Sequence, residues 1–128
     1  MPDTTFDHRP KGLAMIRRLQ TGPRMSQAVV HADTVYLAGQ VAADPTGDVA
    51  SQTRQILDAI DALLAEAGSD KTRILSATIY LADVATFSQM NGVWDAWVPA
   101  GHTPARATVE ARLAAPGYKV EIQIVAAR

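Results

Sequence analysis

Residues 49–68, VASQTRQILDAIDALLAEAG, carry the strongest periodic signal in the chain. Side chains suited to a core recur at helical spacing, namely Val49, Thr53, Ile56, Leu57, Ile60, Leu63, Leu64 and Ala67. Most polar residues, Gln52, Arg54, Gln55, Asp58, Asp61 and Glu66, fall largely elsewhere around the helix. The stretch predicts an amphipathic helix that follows a turn at 44–47, DPTG, and that Gly68 closes from the C′ position.

The segments on either side of this helix predict strands and one more helix. Upstream, Ala32-Asp33 separates two strands near 26–31 and 34–42, and LAMIRRLQT, residues 13–21, is a weaker candidate for a first strand. Downstream we expect a strand at 73–82, a helix at 86–98, and strands at 105–113 and 118–126. The second helix has the apolar stripe Phe87, Met90, Trp94 and Trp97 and a capping box of Thr86 with Gln89.

The element order β-β-β-α-β-α-β-β predicts an α+β fold, in which two helices cover a mixed sheet of about six strands. Two helices can cover one face of such a sheet, so the other face is left open. Val35, Leu37 or their neighbours point out from that face, depending on the register. A bare, partly apolar face favours oligomerisation.

Composition limits the class of protein. The chain has 128 residues, which suggests a single domain over residues 1–128 with a loose arm at 1–12. A net charge of −1 argues against a nucleic-acid or membrane-surface partner. There is no cysteine, and we find neither a signal peptide nor an apolar run long enough for a membrane span. These features fit a protein of the cytoplasm.

The last two strands contain the residues with the clearest chemical potential. In HTPARATVEAR, residues 102–112, small apolar residues alternate with Arg106, Thr108 and Glu110, which predicts a strand half-buried on its apolar side. Glu121 alternates in the same way with the apolar residues of KVEIQIVA. If the two strands pair antiparallel, Arg106 and Glu121 share the polar face. Arg106 is then either an anion receptor or a solvated or paired charge, and Glu121 is either a general base or a cross-strand partner.

The remaining candidates carry weaker signals. His8, His31 and His102 lack the spacing of metal ligands, so no metal site is expected. The serines lack a G-x-S-x-G context, and AGQVAADPTG lacks the spacing of a phosphate loop. Asn91 lies beside the apolar stripe of the second helix and is either solvent-exposed or part of a site.

Taken together, these segments resemble the RidA/YjgF family of reactive-intermediate deaminases. The resemblance extends from about residue 22 to 126, through GPRMSQAVV, VYLAGQVAADPTGD, the helix QTRQILDAIDALLAEAGS, ATIYLADVATFSQMNGVWDAW, PARATVEARLA and KVEIQIVA. It implies a chorismate-mutase-like fold and a homotrimer with active sites in clefts between subunits.

The resemblance also implies roles for individual residues. Arg106 occupies the arginine position of the P-A-R motif, which binds the carboxylate of an enamine or imine acid such as 2-aminoacrylate. Glu121 matches the glutamate that positions the attacking water. The products are a 2-keto acid and ammonia, and no cofactor is needed. The substrate-binding residues are expected to be Met25, Ala38, Gly39, Asn91 and Thr108.

Three positions depart from the family pattern. Met25 takes the place of a tyrosine, with one extra residue after Gly22-Pro23, Ala38 replaces the serine of a Ser-Gly-Gln motif, and Thr108 replaces a cysteine. Met25 suits a larger or more apolar imine acid. Because two hydroxyls are lost and one is gained, a second function stays open, a non-catalytic protein that binds or senses a small carboxylate. The older family label of ribonuclease conflicts with the near-neutral charge and the lack of a basic aromatic patch.

Overall fold

The computed structural model describes residues 15–128, and its elements follow the predicted order. The predicted loose arm and His8 lie outside the described residues. The strands and helices are β1 Ile16–Thr21, β2 Ser26–His31, β3 Thr34–Leu37, α1 Val49–Glu66, β4 Ile74–Leu81, α2 Phe87–Trp97, β5 Ala105–Glu110 and β6 Val120–Ala127. β3 and β5 end earlier than predicted, although Gln40 still forms a bridge to Ile122 beyond the end of β3.

The six strands form one mixed sheet in the order β1-β2-β3-β6-β4-β5. Among the strands of residues 15–128, only β4 and β5 pair in parallel, because α2 carries the chain from the end of one strand to the start of the next. β6 then pairs antiparallel with both β3 and β4. β5 and β6 do not pair, since β4 lies between them, so the condition for a polar face shared by the last two strands is not met.

The core lies between the sheet and the two helices. The predicted apolar side of α1 is confirmed, because Ile56, Ile60 and Leu64 are fully buried. Burying each such side chain stabilises the fold by about 1.5–3 kcal/mol. The sheet contributes alternate residues to the same core, including Ile79, Ile122 and Ile124.

Gln52 departs from the helical pattern, because it is fully buried although the periodicity placed it among the polar positions. Its Nε2 donates to the carbonyl oxygens of Pro45, Gly47 and Gly117 at 3.0, 3.2 and 3.0 Å. Its Oε1 accepts from the backbone N–H of Lys119 at 3.0 Å. One amide side chain thus joins the 44–47 turn to the segment that precedes β6.

The helix ends agree only in part with the predictions. Gly68 has a φ of +82°, as expected of a C′ residue that follows α1. The capping box of α2 is wrong, since the Thr86 side chain caps no helix N–H and instead donates to the carbonyl of Asp83 at 2.6 Å. Thr86 closes a 3₁₀ turn, Val84–Thr86, whose own cap is Asp83, and this turn takes the place of a capped α-helical start.

β5 turns the opposite way from the prediction. Its alanines and Val109 are exposed, whereas Arg106 and Thr108 are half-buried on the face that the helices cover. The register places Arg106 opposite the buried Ala77, and directly opposed residues share a face. The arginine side chain reaches the rings of Phe87 and Trp94 on α2.

The second face of the sheet carries no helix of the described chain, as predicted. Val29, Tyr36 and Val125 form one cross-strand row on it, and Tyr36 is 49% exposed while its neighbours Val35 and Leu37 are buried. At one side of the sheet, β5 pairs only with β4 and leaves its other edge unpaired within residues 15–128. Both features favour contact with another chain.

Candidate functional site

Arg106 lies in an aromatic cradle beneath α2. Its guanidinium carbon is 5.4 Å from the ring centroid of Trp94 and 5.7 Å from that of Phe87. Its Nη1 donates to Oδ1 of Asn91 at 2.7 Å, which is a strong bond to a charged donor. No carboxylate within residues 15–128 pairs with it. A guanidinium has five N–H donors, so the one that Asn91 occupies leaves several to bind an anion.

Thr108 follows Arg106 on the same face of β5, about 7 Å along the strand. Its Oγ1 is buried and has no hydrogen-bond partner among residues 15–128. A buried hydroxyl without a partner is costly and is uncommon in native proteins. Asn91, Arg106 and Thr108, here called the arginine group, therefore combine a fixed cation with a hydroxyl that can still bond a ligand or water.

Glu121 lies on the other face of the sheet. It is half-buried on β6, opposite Tyr80 of β4. Its carboxylate lies so close to the backbone of Gly39 that a Cβ at residue 39 would come within 2.1 Å of Oε2. Only glycine leaves this space free, so Gly39 sets the position of the carboxylate.

A cleft of about 320 Å³ opens beside the Glu121 carboxylate. It is lined by Gly39, Tyr80, Ala111, Arg112, Leu113, Ala114, Glu121 and Gln123. Gly39 also borders a second cleft of about 490 Å³, whose walls include Met25, Gln27 and Gln40. Met25 is 49% exposed there.

Ala38 precedes Gly39 and bonds through its backbone to two residues of the second cleft. Its N–H donates to the carbonyl of Gln27 at 2.9 Å, and its own carbonyl accepts from Nε2 of Gln40 at 3.0 Å. Met25, Ala38, Gly39 and Glu121 are called the glutamate group below.

The two groups do not meet within one protomer. Arg106 shares a row with Ala77 and Ile124, which face the helices, whereas Glu121 shares a row with Tyr80 on the open face. β4 also separates β5 from β6, which adds roughly 10 Å between the two strands. The condition under which Arg106 and Glu121 would share one polar face of a chain is therefore not met.

The sequence assigns no chemistry to Arg112, because the predicted strand at 105–113 includes it as one more alternating charge. β5 ends at Glu110, and the chain leaves the sheet so that Arg112 lines the cleft beside Glu121. To predict that Arg112 lines this cleft, the sequence would have to show that β5 ends at Glu110. It does not, because the alternation of apolar and polar residues continues beyond Glu110. Gln27 and Gln40 were likewise missed, and Nε2 of Gln40 donates to Oε1 of Gln27 at 2.9 Å.

Two carboxyl groups outside the arginine group and the glutamate group have shifted pKa values. The pKa values of Asp44 and Asp70 are lowered, mainly by hydrogen bonds from the hydroxyls and N–H groups of Thr46 and Thr72, and both carboxyls are exposed in turns. His31 is half-buried on β2, and His102 is exposed. Within residues 15–128 no three His, Cys, Asp or Glu side chains are placed to share a metal ion. Neither α1 nor α2, the two α-helices of this part of the chain, combines the length and the hydropathy of a membrane span.

Comparison with known proteins agrees with the fold. The family model described as Endoribonuclease L-PSP matches residues 15–128. A solved member of the YjgF protein family from Neisseria meningitidis is 50% identical and superposes with a TM-score of 0.88, covering 90% of this chain and 96% of the other. The chain belongs to the RidA/YjgF family. Its α+β fold, with a six-stranded mixed sheet and two helices, is that of the family's known structures.

Relatives within the RidA/YjgF family carry two kinds of name. The RutC family protein YoaB of Escherichia coli is 50% identical over 112 residues, which cover 88% of this chain and 97% of YoaB. A protein from Bos taurus named 2-iminobutanoate/2-iminopropanoate deaminase is 36% identical over 107 residues, 79% of this chain and 77% of the bovine protein. Imine deaminases therefore occur among its relatives, at lower identity than the RutC family proteins.

Proposed function

We propose that this protein hydrolyses reactive enamine and imine acids, of the 2-aminoacrylate type, to 2-keto acids and ammonia. The main observation behind this proposal is that the chain provides two charged groups. The guanidinium of Arg106 is fixed and has no ion-pair partner within residues 15–128, and the carboxylate of Glu121 lies against Gly39. An imine acid needs both, since its carboxylate must be bound while water is directed to the adjacent carbon. The bovine imine deaminase among its relatives supports the same reaction.

The complete site lies between two copies of the chain in this proposal. Arg106 and Glu121 occupy opposite faces of one sheet, so the arginine group of one protomer meets the glutamate group of its neighbour. A contact of this head-to-tail kind closes into a ring, and three copies is the assembly that the family resemblance implies. The unpaired edge of β5 and the bare face around Tyr36 offer the surfaces for it. We place this homotrimer in the cytoplasm.

Each residue then has a defined task. The guanidinium of Arg106 binds the substrate carboxylate, and Asn91 and the rings of Trp94 and Phe87 hold it in place. Because the carboxylate is bonded to the reacting carbon, binding also orients that carbon. Thr108 offers a hydroxyl beside the bound acid, while Met25 and Ala38 border the rest of the space.

The reaction itself is addition of water followed by loss of ammonia. Glu121 holds a water molecule and accepts a proton from it while the oxygen bonds to the imine carbon. The resulting carbinolamine takes that proton on its nitrogen. Its hydroxyl proton passes back to Glu121 as the carbonyl forms, and the C–N bond breaks to release ammonia. Atoms balance with water as the only co-reactant, so we propose no metal or organic cofactor.

A coupled assay tests this function. An amino-acid oxidase generates 2-iminopropanoate from alanine, and trapping with semicarbazide measures how long the imine survives. The wild type should shorten its lifetime, and Arg106→Ala should lower kcat/KM by about 100-fold or more, because a charged hydrogen-bond partner of the substrate is lost. An imine lifetime that the wild type leaves unchanged would refute the enzyme.

A non-catalytic carboxylate sensor is the second candidate, and the missing hydroxyls at Met25 and Ala38 favour it. Calorimetry with 2-keto acids separates the two functions. Binding that Arg106→Ala abolishes, without any effect of the protein on imine lifetime, is the result expected of a sensor.

A further inference from the structure

Arg112 is a second cation beside Glu121. It follows β5 directly, where the N–H of Ala111 still donates to the carbonyl of Leu81 at 2.9 Å and fixes the direction in which the chain leaves the sheet. Arg112 and Glu121 line the same cleft of about 320 Å³. Arg112 therefore belongs to the glutamate group's side of the site, within one protomer.

The guanidinium of Arg112 is uncommitted. Arg112 is exposed, and no hydrogen bond, ion pair or ring contact joins it to another residue of the 15–128 segment. Arg106, by contrast, is held by Asn91 and two aromatic rings. An arginine that supports the fold normally has such partners, whereas an unpartnered one in a cleft can present its planar fork to a carboxylate.

The charges of the site decide what kind of ligand suits it. Arg106 and Arg112 bring two positive charges and Glu121 brings one negative charge. A monocarboxylic imine acid in its iminium form has no net charge, so it leaves one positive charge unbalanced. A second carboxylate on the substrate balances it, and opposite charges at close range favour binding of that form.

The cleft that Glu121 and Arg112 share is small, so a second carboxylate bound there lies near the reacting carbon. Its volume, about 320 Å³, is at the small end of the range for ligand pockets. Tyr80 and Gln123 add polar side chains to its wall, beside the apolar Ala111, Leu113 and Ala114.

We infer that the substrate is the imine of a dicarboxylic amino acid, whose second carboxylate, one or two carbons beyond the reacting carbon, binds Arg112. This assignment rests on the proposed imine hydrolysis. It makes Arg112 a specificity-determining residue, while Arg106 binds the carboxylate common to all imine acids.

The test compares two imines in the wild type and in Arg112→Gln. Oxidases generate iminosuccinate from aspartate and 2-iminopropanoate from alanine, and semicarbazide trapping reports kcat/KM for each. The wild type should prefer iminosuccinate by at least tenfold. Arg112→Gln should reduce that preference by about 10- to 100-fold, the range for a lost hydrogen bond between charged groups, because kcat/KM falls further for iminosuccinate than for 2-iminopropanoate. Arg54→Gln, an exposed arginine of α1 outside both clefts, serves as the matched control.

A binding measurement gives a readout that does not depend on turnover. Calorimetry should show that 2-oxoglutarate binds the wild type more tightly than 2-oxobutanoate does, and that Arg112→Gln removes the difference. Arg112→Lys should restore part of it, since the charge is kept and the fork is lost.

The outcomes separate this inference from the proposed function. Equal loss of activity toward both imines in Arg112→Gln means that Arg112 supports Glu121 and does not read the substrate, which overturns the inference. Unchanged activity toward both imines overturns it as well, and in either case imine hydrolysis by the wild type still stands. If the wild type hydrolyses neither imine, both proposals fall.

Discussion

Gly39→Ala tests how closely the backbone holds the proposed water-positioning carboxylate. The added methyl carbon would lie 2.1 Å from Oε2 of Glu121, about 1.3 Å inside the 3.4 Å at which ordinary contacts begin. Because the obstacle is the end of a flexible side chain on the open face, the carboxylate should move by more than 1 Å and the fold should persist. A displacement of about 1 Å in a catalytic group costs roughly 100-fold in rate.

The measurement pairs kcat/KM for imine hydrolysis with thermal unfolding of the same preparations. Gly39→Ala should lose about 100-fold in kcat/KM while the free energy of unfolding falls by about 1 kcal/mol or less. Gly92→Ala is the control, since Gly92 is exposed inside α2 and an added Cβ meets nothing within 4 Å. It should keep full activity and gain up to about 1 kcal/mol of stability, as alanine favours a helix. Activity of Gly39→Ala within threefold of the wild type would refute the reasoning.

Two further substitutions test the supports of the site and of the fold. Asn91→Ala removes the 2.7 Å hydrogen bond to Arg106, so KM for the imine should rise about tenfold with a smaller effect on kcat. An unchanged KM would show that the aromatic rings alone hold the guanidinium. Gln52→Leu removes the hydrogen-bond partner of several buried carbonyl and N–H groups, so denaturant unfolding should show a loss of about 3 kcal/mol in the free energy of unfolding. The exposed Gln89→Leu should lose less than about 0.5 kcal/mol. Equal losses in the two variants would contradict the buried role of Gln52.

Element types and their order followed from the sequence because local periodicity is strong. The apolar residues of α1 recur every third or fourth position, and Val120, Ile122 and Ile124 alternate along β6, so each element indicates its own buried side. The burial of Gln52 could not be predicted from periodicity, and the cause is physical. A long amide can be buried when carbonyls and an N–H converge on it from distant loops, and no local pattern reports that convergence.

The face of β5 could not be predicted from its own residues. Alternation along a strand assigns residues to two faces but does not say which face meets the core, and alanines give only a weak apolar signal. The deciding contacts are made with α2, where Trp94, Phe87 and Asn91 accommodate the guanidinium. An arginine whose charge lies on aromatic rings can be half-buried on a face that a simple hydrophobic pattern assigns to solvent.

This reversal of β5 bears directly on the assembly. Had the polar side of the strand faced outward, Arg106 would share the open face with Glu121, and one chain could hold a complete site across β4. With Arg106 turned toward α2, the proposed imine hydrolysis needs Arg106 from one copy of the chain and Glu121 from another. In that case a mixture of Arg106→Ala and Glu121→Gln chains should regain part of the activity that each variant lacks alone, because some interfaces then combine two intact groups. Failure of mixed assemblies to recover any activity would place the complete site within a single protomer, against the observed faces of the sheet.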